Sequence, residues 1–412
     1  MLLKKLLIIA QNWPAPNYSA AGVRLLQLIN FFKSENYKIT IASAAENKES
    51  FYEENIETIK ILLNHDSFNE FVKKLQPNVV LFDRFISEEQ FGWRVSENIP
   101  NALKILDTED LHSLRKSREK ALKSNLVWSP EFWRTQEITK REVASVLRCD
   151  LSLIISDFEV QLLVDIIPNI KEQLLHLPFM VQSSSLNKIT SIADYENRKD
   201  FVFIGFGGHS PNVDAILHLK QEIWPLIRNR LPDINLHIYG GHLPQKVTDL
   251  HSKKHGFIVK GWVKDAHQVI SNARVLLAPL RFGAGQKGKL LDAMLCGTPS
   301  ITTTIGAEGM HNELPWNGEV QDNPQDFSEA AVRTYCNFES WQVYQKNGHQ
   351  ILHEIFEKEM LSRRFRLKLM HIQKHLSVHR SKNFIGNLIQ HQSMMGTKYM
   401  SKWIEIKNLN NK

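Results

Sequence analysis

The chain has 412 residues, enough for two or three domains, and its 42% hydrophobic and 23% charged content is that of a soluble globular protein. No apolar run approaches the ~20 residues that span a bilayer, and the N terminus lacks the long apolar region and cleavage site of a signal peptide. Three widely spaced cysteines indicate neither a disulfide framework nor a metal site, so we expect a cytoplasmic protein.

The net charge of +7 is concentrated at the C terminus. Between Met360 and Lys412 the sequence has eleven lysines and arginines but a single acid, Glu405. Such a segment predicts an anionic partner, which could be phospholipid headgroups, a lipid-linked phosphate or nucleic acid. A solvated helix without a partner is the alternative.

In the N-terminal half, short apolar runs alternate with longer amphipathic stretches. Residues 21–35 have the apolar spacing of a helix, and the polar stretch 109–125 is typical of a helix or loop. This alternation predicts βαβ units and a parallel sheet. The predicted strands are residues 5–10, 38–43, 78–83, 103–107 and 151–156.

A polar, serine-rich stretch then separates this series from a second one. We predict helices at residues 212–231 and 266–273 of the second series. Its predicted strands are residues 201–206, 234–241, 256–263, 274–280 and 299–304. The predicted organisation is an N-terminal domain of residues 1–185, a linker of 186–200, a second domain of 201–370 and a helical tail of 371–412. Two such α/β halves would bind ligands at the carboxyl edges of their sheets.

The sequence 282-FGAGQKGKLLDAM-294 follows one of these strands. Gly283 and Gly285 would allow backbone conformations that are closed to residues with a Cβ. A helix beginning just after Gln286 would present free N–H groups to an anion, and Lys287 adds a charge suited to a phosphate oxygen. Asp292, one turn further on, could accept hydrogen bonds from a ribose diol.

The alternative interpretation is a tight turn with solvated lysines, in which Lys289 and Asp292 form a surface ion pair. Better-known nucleotide motifs do not match. There is no G-x-x-x-x-G-K-[ST], and 205-GFGGHSP-211 lacks G-x-G-x-x-G spacing, which disfavours NAD. Gly205, between a strand and a helix, remains a candidate phosphate neighbour.

Four segments carry a resemblance to a known family. Residues 201–241, 260–265, 278–299 and 305–310 resemble the donor-binding half of family-4 glycosyltransferases of the GT-B fold. A weaker likeness extends through residues 11–24, 106–115 and 149–159. The resemblance implies an α/β fold of two Rossmann-like domains whose parallel sheets face a central cleft, followed by a helical tail that returns to the N-terminal domain. The N-terminal domain would bind the acceptor and the C-terminal domain a nucleoside-diphosphate sugar.

Carried over by position, Asp292 matches the second acid of the family's E-x7-E motif, which binds the ribose. The first acid falls on Ala284, so that carboxylate is missing. The loop instead resembles a subgroup with G-x-G-x-K, in which Lys287 and the loop amides hold the diphosphate. The resemblance implies this group of diphosphate-binding residues: Gly22 (in the turn after the first strand), Gly205, Gly283, Gly285, Gln286 and Lys287.

Two further sites follow from the resemblance. Trp262 and Val263 occupy the position where the family packs the nucleobase, although we expect the tryptophan side chain itself to lie in the core. The loop 107-DTEDLH-112 offers Glu109, Asp110 and His112 as catalytic candidates that could position or deprotonate an acceptor hydroxyl. A structural loop with capping acids is the alternative. The spacing indicates no metal site.

The sequence therefore predicts a glycosyltransferase that moves a sugar from a nucleotide-diphosphate sugar to a hydroxyl of a saccharide or lipid-linked saccharide. The resemblance implies a retaining, metal-independent enzyme of cell-surface polysaccharide or glycolipid synthesis, without a cofactor. In the tail, we expect the apolar half to pack on protein and the basic half to touch the inner face of the plasma membrane.

Two alternatives remain open at this point. One is a nucleotide-sugar epimerase on the same fold, and the other is a non-catalytic, basic nucleic-acid-binding protein. The second would need a recognised module with basic or aromatic readers, and the sequence shows none, so we expect no nucleic-acid partner.

Overall fold

A computed structural model describes residues 4–14, 19–46, 55–167, 169–182, 184 and 195–410. The chain forms two compact units: the first contains Met1–Ser117, Ser129–Leu177 and Ser362–Lys412, and the second contains Arg118–Trp128 and Pro178–Leu361. Most of the predicted linker, residues 186–200, lies outside the described residues. The predicted limit between residues 370 and 371 falls within a helix.

The first unit is built on a seven-stranded parallel sheet with the order β3-β2-β1-β4-β5-β6-β7. The strands are β1 Lys4–Ala10, β2 Tyr37–Ser43, β3 Ile56–Lys60, β4 Val79–Asp83, β5 Leu103–Asp107, β6 Leu151–Ile154 and β7 Leu174–His176. The central strand β1 is buried from Leu6 to Ala10, as a parallel strand covered by helices on both faces requires. The strand order reverses between β1 and β4, which is where open α/β sheets bind ligands.

Helices connect these strands, and the last helices of the chain join the same unit. Ser19 begins the first of them, since its Oγ accepts a hydrogen bond from the Gly22 amide. The helices are α1 Ala20–Ser34, α2 Ser67–Leu75, α3 Phe85–Asn98, α4 His112–Lys123, α5 Pro130–Arg134, α6 Glu137–Arg148 and α7 Asp157–Ile166.

The second unit has a six-stranded parallel sheet with the order β10-β9-β8-β11-β12-β13. The strands are β8 Phe201–Ile204, β9 Leu236–Tyr239, β10 Phe257–Gly261, β11 Val275–Ala278, β12 Ser300–Thr302 and β13 Gly318–Val320. Its order reverses between β8 and β11, so the loops after these two strands flank the expected ligand position. Phe201, Leu277 and Ile301 contribute to the core beneath that edge.

The helices of the second unit cover both faces of its sheet, and a π-helical turn, Leu219–Ile223, joins two of them. The helices are α8 Ser210–His218, α9 Trp224–Arg230, α10 Gln245–Thr248, α11 Ala266–Asn272, α12 Gly288–Leu295, α13 Thr304–Ala307, α14 Pro324–Cys336 and α15 Phe338–Ile355. Three C-terminal helices follow: α16 Lys358–Lys374, α17 Leu376–Lys382 and α18 Phe384–Asn410. The division between the units falls within α4 and within α16.

All ten predicted strands are confirmed. The sequence did not predict β3, β7 and β13, and each of these lies at an edge of its sheet. None of the described helices is both long enough and apolar enough to cross a membrane.

Candidate functional site

The glycine-rich loop of the second unit connects β11 to α12, and the helix begins at Gly288, as predicted. Gly285 has φ +62°, a conformation that favours glycine. The expectation for Gly283 is wrong, because its φ is not positive and an added Cβ would meet its nearest neighbours at 3.8 and 3.9 Å. The carbonyl oxygen of Gly283 is nevertheless used, since it accepts a hydrogen bond of 2.9 Å from Arg118 Nη1.

Lys287 occupies the N-cap position of α12, without a side-chain capping hydrogen bond, and is buried. Its Nζ donates to the Gly285 carbonyl at 2.7 Å, so the ammonium folds back over the loop. The neighbouring Gln286 has a different role from the predicted one. Its side-chain amide accepts a hydrogen bond from the Phe179 amide and donates to the Gly309 carbonyl, which ties the loop to two other segments of this unit.

Lys289 is a second cation at this edge, and the sequence analysis did not place it in the site. Its Nζ donates to Asn212 Oδ1 and lies 4.3 Å from the centre of the Phe203 ring. Burial lowers the pKa of this amine to about 7. Because Asn212 lies on α8, which follows β8, Lys289 joins the two loops where the strand order reverses.

The carboxyl ends of β8 and β9 come unusually close together. The Gly205 amide donates to the Tyr239 carbonyl, and a Cβ on Gly240 would lie 2.1 Å from the Gly205 carbonyl oxygen. A Cβ on Gly205 would in turn lie 2.7 Å from the Asn212 side chain. Side chains are therefore excluded at Gly205 and Gly240, and the Lys289 amine is the charged group that approaches this edge through Asn212.

Asp292 lies on α12, and its Oδ1 is 3.2 Å from Nε2 of His267 on α11. The hydrogen bond to Asp292 raises the pKa of His267. The alternative interpretation required a surface ion pair between Lys289 and Asp292. In the structure, Lys289 bonds Asn212 and Asp292 bonds His267 instead. About a third of the Asp292 side chain stays exposed, so a further hydrogen-bond donor can reach it.

The core position expected for the Trp262 side chain is wrong. The residue follows β10 and is 55% exposed, while Val263 is half-buried. A Cβ on Gly241 would lie 3.4 Å from Trp262 Cδ1, so the indole sits beside the end of β9. An exposed aromatic ring at a carboxyl edge is suited to contact a flat ligand.

The sequence analysis also missed an ion pair that holds the glycine-rich loop. Arg118 donates to both carboxylate oxygens of Glu308, at 2.8 and 2.7 Å, while it bonds the Gly283 carbonyl. Both side chains are largely buried. Glu308 lies in the segment 305–310, which resembles the glycosyltransferase family. Nothing in the sequence indicates that Arg118 would belong to the second unit.

The acidic loop of the first unit connects β5 to α4. Glu109 has φ +65°, and its carboxylate lies 3.9 Å from Nε of Arg84. Asp110 is held by Arg115, whose Nε donates to Oδ2 at 2.7 Å, and Asp110 Oδ1 lies 3.3 Å from His112 Nε2. The structure therefore brings the three predicted catalytic side chains together.

Burial shifts the pKa values of Glu109 and His112 in opposite directions. It raises the pKa of Glu109 to about 7 although Arg84 opposes the shift. It also lowers the pKa of His112 to about 4, so this imidazole is neutral at pH 7. A carboxylate that titrates near neutrality can accept a proton at working pH, whereas Asp110 is committed to Arg115.

Two buried carboxylates of other helices fix this loop. Glu142 of α6 accepts hydrogen bonds from the amides of His112 and Ser113, the first residues of α4. Glu159 of α7 accepts one from the Leu111 amide. These contacts support both interpretations of the loop, because the capping acids come from elsewhere and leave the loop's own carboxylates to other tasks.

Arg84 flanks the same edge, after β4. Its φ of 69° and ψ of 157° lie in a region that is accessible almost only to glycine. Its guanidinium donates to Gln11 Oε1 at 3.4 Å, and Gln11 follows β1. Arg84 and Gln11 thus stand on the two sides of the point where the strand order of the first sheet reverses.

Glu109, Asp110 and His112 each offer a ligand atom within 4.8 Å of the others. That geometry would admit a small cation, contrary to what the spacing indicated. Arg115 already pairs with Asp110, and Arg84 approaches Glu109, so two fixed positive charges oppose a metal ion here.

Gly22 belongs to the first turn of α1 and not to the preceding turn, and its amide donates to Ser19 Oγ. Arg24, two residues on, is fully buried. Its guanidinium binds the Asp107 carboxylate at 2.7 to 3.1 Å and donates to the Leu177 carbonyl. Arg24 is therefore part of the support of the first sheet.

Comparisons with known proteins agree with these observations. Residues 198–337 match the family model described as Glycosyl transferases group 1. No curated protein sequence matches the chain significantly.

Several solved structures share the architecture. The chain is similar to sucrose-phosphate synthase of Thermosynechococcus elongatus, with 14% identity and a TM-score of 0.66 over 91% of this chain and 99% of that one. A TarM variant of S. aureus in complex with UDP has 10% identity and a TM-score of 0.67 over 90% and 99%. HepE of Anabaena, in complex with UDP, has 13% identity and a TM-score of 0.60 over 89% and 100%.

The shared architecture extends over almost the whole chain, and the family match covers the segment that carries the glycine-rich loop. Residues 198–337 therefore form a domain of the glycosyl transferases group 1 type, and the chain as a whole has the GT-B fold.

Proposed function

We propose that the enzyme transfers a sugar, with retention of configuration and without a metal ion, from a nucleoside-diphosphate sugar to a hydroxyl of a saccharide or lipid-linked saccharide. The observation that carries the proposal is the pair of cations, Lys287 and Lys289, at the switch point of the second sheet. This edge lies within the segment that matches the glycosyltransferase family.

The two lysines suit the leaving group of such a transfer. As the glycosidic bond breaks, negative charge develops on the diphosphate, and cations fixed at that position stabilise the transition state more than the ground state. Lys287 donates to the Gly285 carbonyl and Lys289 to Asn212 Oδ1, and these are neutral oxygens that an anionic phosphate oxygen would replace. Because lysines supply this charge, the proposed reaction needs no divalent ion.

The remaining donor contacts follow from the same edge. Asp292 would accept hydrogen bonds from the ribose, and the exposed Trp262 with Val263 would lie against the base. The TarM and HepE structures are complexes with UDP, so a uridine diphosphate sugar is the first donor to test.

In the first unit, Glu109 is the group best suited to the acceptor. Its pKa near 7 allows it to take up the proton of an acceptor hydroxyl, while Asp110 and Arg115 hold the loop beside it. We propose a role in cell-surface polysaccharide or glycolipid synthesis, at the inner face of the plasma membrane, because the C-terminal segment is so basic.

A thermal-shift screen of nucleotide-sugars tests the donor site. At least one should stabilise the wild type, and Lys287→Ala, Lys289→Ala and Asp292→Ala should each reduce that shift. Lys260→Ala, which removes an exposed lysine of β10, is the matched control and should behave as the wild type. If no nucleotide-sugar stabilises the wild type, or if the three variants respond as it does, the donor assignment is wrong.

A second assay separates transfer from epimerisation. The enzyme is incubated with the stabilising nucleotide-sugar alone, and the products are separated by chromatography. A transferase should leave the sugar configuration unchanged, apart from slow hydrolysis. An epimerised nucleotide-sugar would instead favour the epimerase.

A further inference from the structure

The last helix, α18, packs on the first unit through a polar face. Ser401 is buried, and its Oγ bonds Arg94 and Asn64. Further along the same face, Gln390 accepts a hydrogen bond from Lys104 Nζ at 2.9 Å. A helix on a protein core normally turns its apolar face inward, whereas the described side chains of α18 that bond the first unit here are polar.

Its apolar side chains face solvent instead. Trp403 is 59% and Phe384 71% exposed, and their exposed neighbours are also large and apolar. At 3.6 residues per turn these positions fall on one side of the helix. This apolar stripe consists of Phe384, Ile385, Leu388, Tyr399, Trp403 and Ile406. The expectation that the apolar half of the tail packs on protein is therefore wrong.

Lysines border the apolar stripe. By helical spacing, Lys402 and Lys407 lie at its two edges, and Lys407 Nζ is 5.3 Å from the centre of the Trp403 ring. A second copy of this chain seated on the stripe would bring these like charges together, which opposes self-association. An anionic surface would be attracted by them.

A basic cleft of about 270 Å³ adjoins the helix, lined by Lys104, Arg380, Asn387, Gln390 and His391 among others. Lys104 is buried, and its Nζ donates to two neutral groups, Ser96 Oγ and Gln390 Oε1. Burial lowers its pKa. Asp150 opposes that shift and pairs with Arg380 at 2.7 Å, so the positive charge of the cleft is partly offset from within the protein.

We propose that α18 is an interfacial helix whose apolar stripe inserts into the surface of an anionic phospholipid bilayer, with the bordering lysines on the headgroups. The side-chain types fit, because tryptophan and tyrosine favour the boundary between headgroups and acyl chains, and lysine can reach outward from it. The stripe runs from Phe384 to Ile406 of this 27-residue helix and so extends over about 33 Å. The proposal rests on the proposed function only for the membrane-side location of the enzyme.

Vesicle flotation with the full-length protein tests the proposal. The wild type should bind phosphatidylcholine vesicles that contain about a third phosphatidylglycerol at least ~tenfold more tightly than phosphatidylcholine alone. That binding should weaken between about 0.05 and 0.5 M salt. The triple variant Phe384→Ser/Tyr399→Ser/Trp403→Ser should lose at least ~tenfold in affinity for anionic vesicles. Val343→Ser, which changes an exposed apolar residue of the second unit, should leave binding unchanged.

Three results would overturn the proposal: no binding of the wild type to anionic vesicles, equal binding of the triple variant, or a dimer in sedimentation equilibrium that only the triple variant abolishes. Because the triple changes lie on exposed positions, the variant should unfold at the wild-type temperature. The nucleotide-sugar thermal shift is measured on the same preparations. A wild type that does not bind vesicles but shows the thermal shift would reject the interfacial helix alone, and a wild type that binds vesicles without a shift would reject the donor site alone.

Discussion

Lys289 should make donor binding fall with rising pH. Burial lowers its pKa to about 7 from an ordinary value of 10.5, so in the free enzyme the amine is neutral above pH 7. A diphosphate next to the amine favours the charged form, so binding above pH 7 must take up a proton. The diphosphate of a nucleotide-sugar is a diester and does not itself titrate in this range.

The size of the effect follows from the protonated fraction. With a pKa near 7, about 10% of free Lys289 is charged at pH 8 and about 1% at pH 9. If the donor binds only to the enzyme with charged Lys289, its Kd should be about tenfold higher at pH 9 than at pH 8. The free enzyme should show the opposite trend. Between pH 7 and 10.5 the unfolded chain binds more protons at this position, so this group raises the free energy of unfolding with pH.

Isothermal titration of a stabilising nucleotide-sugar at pH 6.5, 7.5, 8.5 and 9 would measure the dependence. Lys289→Gln should bind more weakly at pH 6.5 and lose the slope, whereas Lys260→Gln should keep both the affinity and the slope of the wild type. A wild-type Kd that is constant between pH 7 and 9, or an unchanged slope in Lys289→Gln, would refute the assignment.

Three further predictions concern the first unit. Glu109→Gln should reduce the rate of transfer by about 10²–10⁴-fold and leave donor affinity unchanged. In the wild type, the transfer rate should rise with pH through about 7, because this carboxyl then loses its proton. A flat pH–rate profile would contradict this. Arg24→Met leaves Asp107 buried without its partner and should lower the free energy of unfolding in urea by about 3–5 kcal/mol. The control Arg333→Met, which removes a half-exposed guanidinium, should lower it by less than about 1 kcal/mol. Arg84→Gly should unfold with a free energy about 1 kcal/mol higher than Arg84→Ala, because both lose the guanidinium and only glycine relieves the backbone; equal stability would show that the position is unstrained.

The architecture was largely predictable because the sheet interiors are apolar on both faces. Every strand between two neighbours was identified from its apolar run. The edge strand β3, with sequence IETIK and only partial burial, has no such run, since one of its sides meets no further strand. The missed strands therefore follow from where burial ends in each sheet.

At the candidate site, local sequence predicted the loop but not its partners. The conformation of Gly285 and the start of α12 could be derived from turn and helix chemistry, whereas that of Gly283 could not. The pairing of Arg118 with Glu308 could not, since the two residues are far apart in sequence and meet only after folding. Lys289 was misassigned for a related reason. A lysine near a helix start is usually solvated, and its contacts with Asn212 and Phe203, which are distant in sequence, form only in the folded protein.

The electrostatics of the two sheet edges differ, in accordance with the proposal of a donor site in the second unit and an acceptor-activating group in the first. At the switch point of the second sheet, Lys287 and Lys289 place two amines beside a region from which glycines exclude other side chains. Such a region stabilises charge that develops on a leaving diphosphate. At the edge of the first sheet, burial raises the pKa of Glu109 to about 7, and Arg84 prevents a larger shift. A fully ionised acid there would be a weak base and a protonated one no base at all, so a pKa near 7 is what proton removal from an acceptor hydroxyl needs.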